Sequence, residues 1–579
     1  MVANDSMSIP LVTLLPASGG GSALTLCLDP TETLLELMLS VSGEGATFGR
    51  HFLRIGPGLQ RRFSARLFAH RPSLRAGLFH VTQQWPSLFS ASAGPSIANL
   101  SGLGSYGWDL SNEALNATWA REMGLTTHWD LGGMWMPYDG LFIPYQECWL
   151  NLPSGESGKP TQNVSAHMID KTYRHAQEQG VVTLSYFDIG NWGTAVSIDD
   201  PFALELESPS RCGLRPGGLP APCPTGGGGQ YLWQFLMSAV LKRGWSGDRS
   251  FLNGAVHDWS NTVDMDPGDR FFQDLMVEQA EQHVQRLPSF QGFGCDRWDY
   301  AEAFNLDSDD GISWVPHPTL NASGAQVWDD STYGAARSVR QGYKETYARI
   351  RKILGAGRPL MCDLGIYTRI DHMQECDGSF NEIWSLNGAA WLGLVNKPTI
   401  MWTYSLANHS AAQLDEYFQQ HLLLGAFPSA PLAGNDHMID PANATVDAYY
   451  KDYAPLFDKM RGAVWHLSAH ADAATLLPEE GARAPTEPAA LLNAFVGLDN
   501  ASLLVPVVYG HAPTASVALE LDGAVGCPRG DERARIRLMR PGEPRWSSMG
   551  PPRQLSGGRV ALKVELGGRG CALLSAACV

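Results

Sequence analysis

The chain has 579 residues, too many for one hydrophobic core, and 44% of them are hydrophobic. Lys and Arg number 42 against 59 Asp and Glu, a net charge of −17. This acidic balance argues against nucleic acid or an anionic membrane as a partner. No run of 18 apolar residues occurs, so no membrane span is expected.

Residues 1–90 read as a small β-rich region, with short strands at 23–28 and 63–68 broken by Gly and Pro. Residues 91–468 alternate short apolar runs with helical patterns, which predicts an α/β fold with a parallel sheet, a (β/α)8 TIM barrel. Strands are expected at 102–106, 125–130, 181–188, 291–296, 358–363, 379–384 and 398–404, with an eighth segment ending near Asp436. Helices are expected at 111–124, 164–179 (closed by Gly180), 231–241, 271–287, 411–424 and 446–461. The apolar face of another is marked by Ala336, Val339, Tyr343, Ile350 and Leu354. Within 469–579 the period becomes two, as in Val517, Leu519 and Leu521, and again in Val560, Leu562, Val564 and Leu566. Gly567-Gly568 reads as a hairpin turn, and the region as a C-terminal antiparallel β-sandwich.

Eight Asn-x-Ser/Thr sequons begin at Asn4, Asn99, Asn116, Asn163, Asn321, Asn408, Asn443 and Asn500. Chance would give about two or three among 19 Asn. The excess, with ten Cys, predicts a secreted protein or a resident of the endomembrane lumen. Cys212 with Cys223 and Cys571 with Cys578 are the expected bridges. The first residues lack a basic segment and an apolar core, so a signal is expected to have been removed or to lie upstream. No zinc-type Cys/His spacing appears, and neither a metal nor a cofactor is expected.

A barrel of this type carries its chemistry at the C-terminal ends of its strands. Several predicted strands end in an acid: Asp130, Asp188, Asp296, Asp363, Glu382 and Asp436. Trp129, Trp298 and Trp384 lie beside them. Two carboxyl groups and an aromatic platform are what glycosidic hydrolysis needs. The competing reading is that some of these acids cap the following helices. In the stretch 292–300, Gly-Phe-Gly-Cys-Asp-Arg-Trp-Asp-Tyr, an apolar strand delivers Asp296, Arg297 is placed to keep it ionised, and Asp299 follows on the same loop. Glu382 lies between Phe380 and Trp384, an apolar setting that favours the protonated form a general acid requires. Asp363 is the reserve for the second acid. No Gly-x-Ser-x-Gly elbow occurs, which disfavours an α/β hydrolase.

Three segments, Asp-Pro-Gly-Asp at 266–269, Gly-Phe-Gly-Cys-Asp-Arg at 292–297 and Asp-Gly-Ser-Phe-Asn-Glu at 377–382, resemble retaining glycoside hydrolases of the α-galactosidase and α-glucosidase type and related endo-α-glycosidases. Tyr449-Tyr450 through Arg461-Gly462 resembles the last barrel helix of such enzymes. The resemblance implies a glycosidase acting on an oligo- or polysaccharide or a glycoconjugate. It makes Asp296 the nucleophile and Glu382 the proton donor, with Asp436 and His437 at substrate. The sequence departs from the pattern at Gly294, where many of those enzymes have Lys, and at Glu382, where they commonly have Asp. The alternative reading is a carbohydrate-binding protein whose barrel has lost turnover.

Overall fold

The computed structural model describes 9–89, 100–107, 117–130, 164–193, 262–296, 304–363, 373–381, 397–401, 408–429, 443–477, 490–510, 516–522 and 534–578, apart from short loop positions within them, together with brief segments at 148–149, 214–257, 370 and 393–395. Eight strands form one parallel sheet: β1 (Leu103–Gly107), β2 (Leu125–Asp130), β3 (Val182–Asp188), β4 (Phe293–Asp296), β5 (Leu360–Asp363), β6 (Gly378–Asn381), β7 (Thr399–Met401) and β8 (Phe427–Pro428). Each pairs with the next in chain order. A parallel bridge from Gly104 to Ser429 brings β8 back to β1 and closes the barrel.

Among the described residues six helices pack outside it: α1 (Ala117–Met123), α2 (Ala166–Glu178), α3 (Arg270–Arg286), α4 (Val339–Leu354), α5 (Ala411–Leu424) and α6 (Ala444–Met460). Their starts follow from side chains that accept the first orphan N–H groups. Asp269 caps α3, Ser338 caps α4, Ser410 forms a capping box with Gln413 on α5, and Asn443 caps α6. Gly425, at φ 75°, ends α5 in a left-handed turn that a side chain would strain. On α3 Phe272, Met276 and Ala280, four residues apart, are fully buried, and Val284, next in the series, is half-buried. No described helix is long and apolar enough to cross a membrane.

Strand alternation divides the barrel into an inner and an outer surface. On β4 the outward Phe293 meets Phe290 and His283 of the helical layer at 4.7 and 4.9 Å. Inside, Trp129 of β2 meets Phe380 of β6 across the barrel at 5.2 Å. Glycines provide the room. A Cβ on Gly294 would lie 2.4 Å from the Trp129 indole nitrogen, and one on Gly104 would lie 2.5 Å from Ile400. The interior is thus a packed layer of large rings set against missing side chains.

Among the described residues no α-helix stands between β5 and β6. A disulfide between Cys362 on β5 and Cys376, Cα atoms 6.0 Å apart, ties that connection down instead. Buried Lys397 donates to the carbonyls of Met373 and Gln374 in the same connection.

Two barrel insertions merge into one five-stranded sheet. Arg243–Trp245 and Phe251–Asn253 come from the β3–α3 connection, while Phe304–Asn305, Ser313–Pro316 and Tyr333–Ser338 come from the β4–α4 connection. The N-terminal region clamps this sheet: Trp314 N donates to Phe52 O and Arg54 N to Ile312 O, both at 2.7 Å. That region holds a three-stranded sheet (Leu11–Leu14, Ala23–Leu28, Ala65–His70) and also a helix, Leu74–Gln84.

The C-terminal sandwich stacks two antiparallel sheets. Ser516–Asp522 alternates buried and half-buried residues, as its period of two requires, and Leu519, Leu521 and Val564 of one sheet meet Val505, Val507 and Leu574 of the other in one core.

Several expectations are corrected. Ala336 belongs to the strand Tyr333–Ser338, not to the helix, because that strand pairs on both edges before Ser338 caps α4. The turn at Gly567-Gly568 is not a hairpin: Arg559–Glu565 pairs in one sheet and Cys571–Cys578 in the other, so the chain crosses between layers there. Cys571 and Cys578 end a single extended strand, and Cys571 is a buried free thiol. Seven residues of strand span roughly 23 Å, far beyond disulfide reach. The eighth strand is Phe427–Pro428, well short of Asp436. Cys212 with Cys223, all but the last residue of the helix expected at 231–241, and the start of that expected at 111–124 lie outside the described residues.

Candidate active site

β4 is a four-residue strand buried throughout, and it delivers Asp296 to the C-terminal end of the barrel. Asp296 is 7% exposed, set in the mouth rather than sealed in the core. The hydroxyl of Tyr186, on the inner face of β3, donates to Asp296 Oδ2. Tyr186 is itself held by stacking on Trp129, with ring centroids 5.5 Å apart and planes 21° apart.

Asp296 has acidic neighbours on both sides. Asp188, the last residue of β3, is its register partner. On the other side Cys295 pairs with Cys362, and one residue further the same register sets Asp296 beside Asp363, the last residue of β5. Three consecutive strands therefore end in Asp at one level. Neighbouring strands are about 4.8 Å apart, so the three strand-end positions lie side by side at the barrel mouth. Asp363 is fully buried. β6 ends in buried Asn381, immediately before Glu382 in the chain.

Trp129, expected to line a sugar subsite, is 1% exposed and enclosed by Tyr186 and Phe380. It supports the carboxylate level from below. Its indole also accounts for Gly294, since a side chain there would occupy the ring's position. Arg297, Trp298, Asp299, Glu382, Trp384, Asp436 and His437 lie outside the described residues, as do the side chains of Asp130 and Asp188.

Two other acids in the motif segments are structural. Asp266 is fully buried, and its carboxylate accepts from Gly268 N at 2.8 Å, Asn305 Nδ2 at 2.6 Å and Arg337 Nε at 2.7 Å. Burial pushes its pKa up, opposed by Arg337 and these donors. Asp266 thus joins the start of α3 to the insertion sheet. Asp377 pairs with Arg351 and accepts from Leu360 N at 2.8 Å, which fastens the foot of β6 to β5 and α4.

Tyr186 is a site residue that its sequence context alone did not single out. The signal was its position two residues before Asp188 on one strand face, which aims it at the carboxylate level. A cavity of about 820 Å³ lies at the other end of the barrel, among strand starts such as Leu103, Leu125 and Val182 and the α6 residues Lys451 and Asp458. It is remote from the acid-bearing strand ends. Among the described residues no group of three His, Cys, Asp or Glu is arranged to hold a metal ion.

No family profile matches this chain, and no curated protein matches it in sequence. Solved structures do match in shape. A variant GH36 α-galactosidase of Geobacillus stearothermophilus, in complex with 1-deoxygalactonojirimycin, aligns with a TM-score of 0.50 at 11% identity, over 100% of this chain and 71% of that one. The shared fold is the (β/α)8 barrel. A cycloisomaltooligosaccharide glucanotransferase of Paenibacillus sp. aligns at 0.47 with 8% identity, over 99% of this chain and 98% of that one. A maltogenic α-amylase of Thermotoga neapolitana aligns at 0.40 with 11% identity, over 84% and 96%. At these identities the likeness is one of fold.

Proposed function

We propose that the protein is a glycoside hydrolase that cleaves O-glycosidic bonds, a retaining α-glycosidase in which Asp296 attacks the anomeric carbon and Glu382 protonates the leaving oxygen. One observation carries the reading: Asp296 stands at the mouth end of β4, oriented by the Tyr186 hydroxyl and flanked in register by strand-end Asp residues. A donor on Oδ2 favours the ionised form a nucleophile needs. Glu382 directly follows Asn381, the residue that ends β6. After glycosyl transfer to Asp296, Glu382 would take a proton from water and complete double displacement. Asp130, Asp188, Arg297, Trp298, Asp299, Asp363, Trp384, Asp436 and His437 are proposed to surround the sugar. The substrate is an oligo- or polysaccharide or a glycoconjugate, met in the secretory lumen or outside the cell. The sequon excess and the Cys362–Cys376 disulfide support that compartment.

The test is hydrolysis of a panel of aryl α- and β-glycosides, with the product anomer read by NMR. The expected result is release of the α-anomer from an α-glycoside. Asp296→Asn is expected to abolish turnover, and Glu382→Gln to lower it by roughly 10²–10⁴-fold on substrates with poor leaving groups. Full activity in Asp296→Asn would refute the assignment. Sugar binding without turnover across the panel would establish the binding-protein reading instead.

A further inference from the structure

Eight sequons raise the question of which asparagines the folded protein presents as acceptors, and the described ones differ. Asn443 caps α6, and its carboxamide oxygen accepts from Thr445 N at 3.0 Å and Val446 N at 3.2 Å. In the sequon of Asn408, the hydroxyl of Ser410 belongs to the α5 capping box and donates to Gln413 Oε1 at 3.0 Å. Both sequons are thus engaged in starting barrel helices.

Asn321 is arranged differently. It lies exposed in the turn between Thr319–Leu320 and Gln326–Val327, two short strands that pair with each other. Its carboxamide oxygen accepts from the Ser323 hydroxyl at 2.6 Å and from Ser323 N at 3.0 Å. The sequon hydroxyl therefore donates to the acceptor asparagine itself. Both contacts span two residues, so this Asx turn can form in an unfolded chain before tertiary structure exists. Val327, paired with Thr319, is 37% exposed, an apolar surface that a bulky polar group would cover.

We propose that Asn321 carries an N-linked glycan, anchored on the β4–α4 insertion. In the transfer, Asn321 Nδ2 forms a bond to the anomeric carbon of a lipid-pyrophosphate-linked oligosaccharide. The bond from that carbon to the pyrophosphate oxygen breaks, the lipid pyrophosphate leaves with the electron pair, and the amide proton passes to a base of the transferase. The site rests on passage through a glycosylating pathway, the compartment proposed above.

The test is glycopeptide mapping of the full chain recovered from a eukaryotic secretory culture, after peptide N-glycosidase F treatment in heavy-oxygen water. The peptide spanning 321 is expected to carry the label. Asn321→Gln and Ser323→Ala should each remove one glycan from the intact mass, and Ser323→Thr should retain it. An unlabelled 321 peptide beside labelled peptides from other sequons overturns the site alone. A polypeptide without any glycan overturns both the site and the compartment.

Discussion

Tyr186 on β3 donates its phenolic hydrogen to Oδ2 of Asp296 on β4, across a pair of strands whose last residues, Asp188 and Asp296, stand in register. The two residues are 110 apart in the chain, yet the parallel pairing makes the hydroxyl the neighbour of the carboxylate. Hydrogen bonds to a charged group are worth about 1.5–3 kcal/mol, enough to matter if Asp296 must be ionised to react.

Tyr186→Phe keeps the ring that stacks on Trp129 and removes only the donor. The variant should lose roughly tenfold to a hundredfold in kcat/KM, with its melting temperature little changed. The acid limb of the pH–rate profile should move to higher pH, because the ionised nucleophile has lost a partner. An unshifted profile would mean that the hydroxyl serves packing alone.

Gly294→Ala should destabilise the barrel. The added carbon would meet the Trp129 indole at 2.4 Å, and that ring is held by Tyr186 and Phe380. Overpacking of this kind costs about 1–3 kcal/mol. Urea unfolding followed by tryptophan fluorescence measures the cost, and an unchanged midpoint would contradict the packing.

Arg337→Met should cost more, about 3–5 kcal/mol, because it strands a fully buried carboxylate. The Asp266→Asn, Arg337→Met double variant should recover part of the loss, since the remaining amide carries no charge. Equal stability of the single and double variants would show that the pair is not coupled.

Three buried histidines are expected to weaken the fold as pH falls. Burial lowers His128 to about 3, and His283 and His421 to about 4. In the unfolded chain they titrate near 6.5. Below that pH the unfolded state binds protons that the folded state refuses, so stability rises with pH in this range. Their contribution is complete above about pH 6.5 and is lost as pH falls toward 4. Urea midpoints between pH 4 and 7 should fall with acidity, and His421→Leu should fall less steeply than the parent. Parallel slopes would remove His421 from this account.

The apolar periods alone disclosed that the chain forms a parallel barrel followed by antiparallel sheets. The positions of the first seven barrel strands followed within a few residues, because burial on two faces makes a strand apolar throughout, whereas the eighth lies well before the expected segment. The run from Phe293 to Asp296 marked where a carboxylate reaches the mouth, since a charged residue ends an apolar strand only where water or substrate begins. Contacts between distant segments were not legible. Asp266 stood in a segment with a family resemblance, and only the fold shows Arg337 and Asn305 enclosing its carboxylate. Cys571 and Cys578, near in sequence, are held apart by one extended strand, whereas Cys362 and Cys376 meet where no described helix covers β5. Gly294 read as a departure from a family pattern, and only the barrel interior shows that Trp129 takes its space. Local propensity is written in a few neighbouring residues. Which charge is neutralised, which ring fills which gap and which hydroxyl holds Asp296 depend on strands far apart in the chain that the barrel brings together.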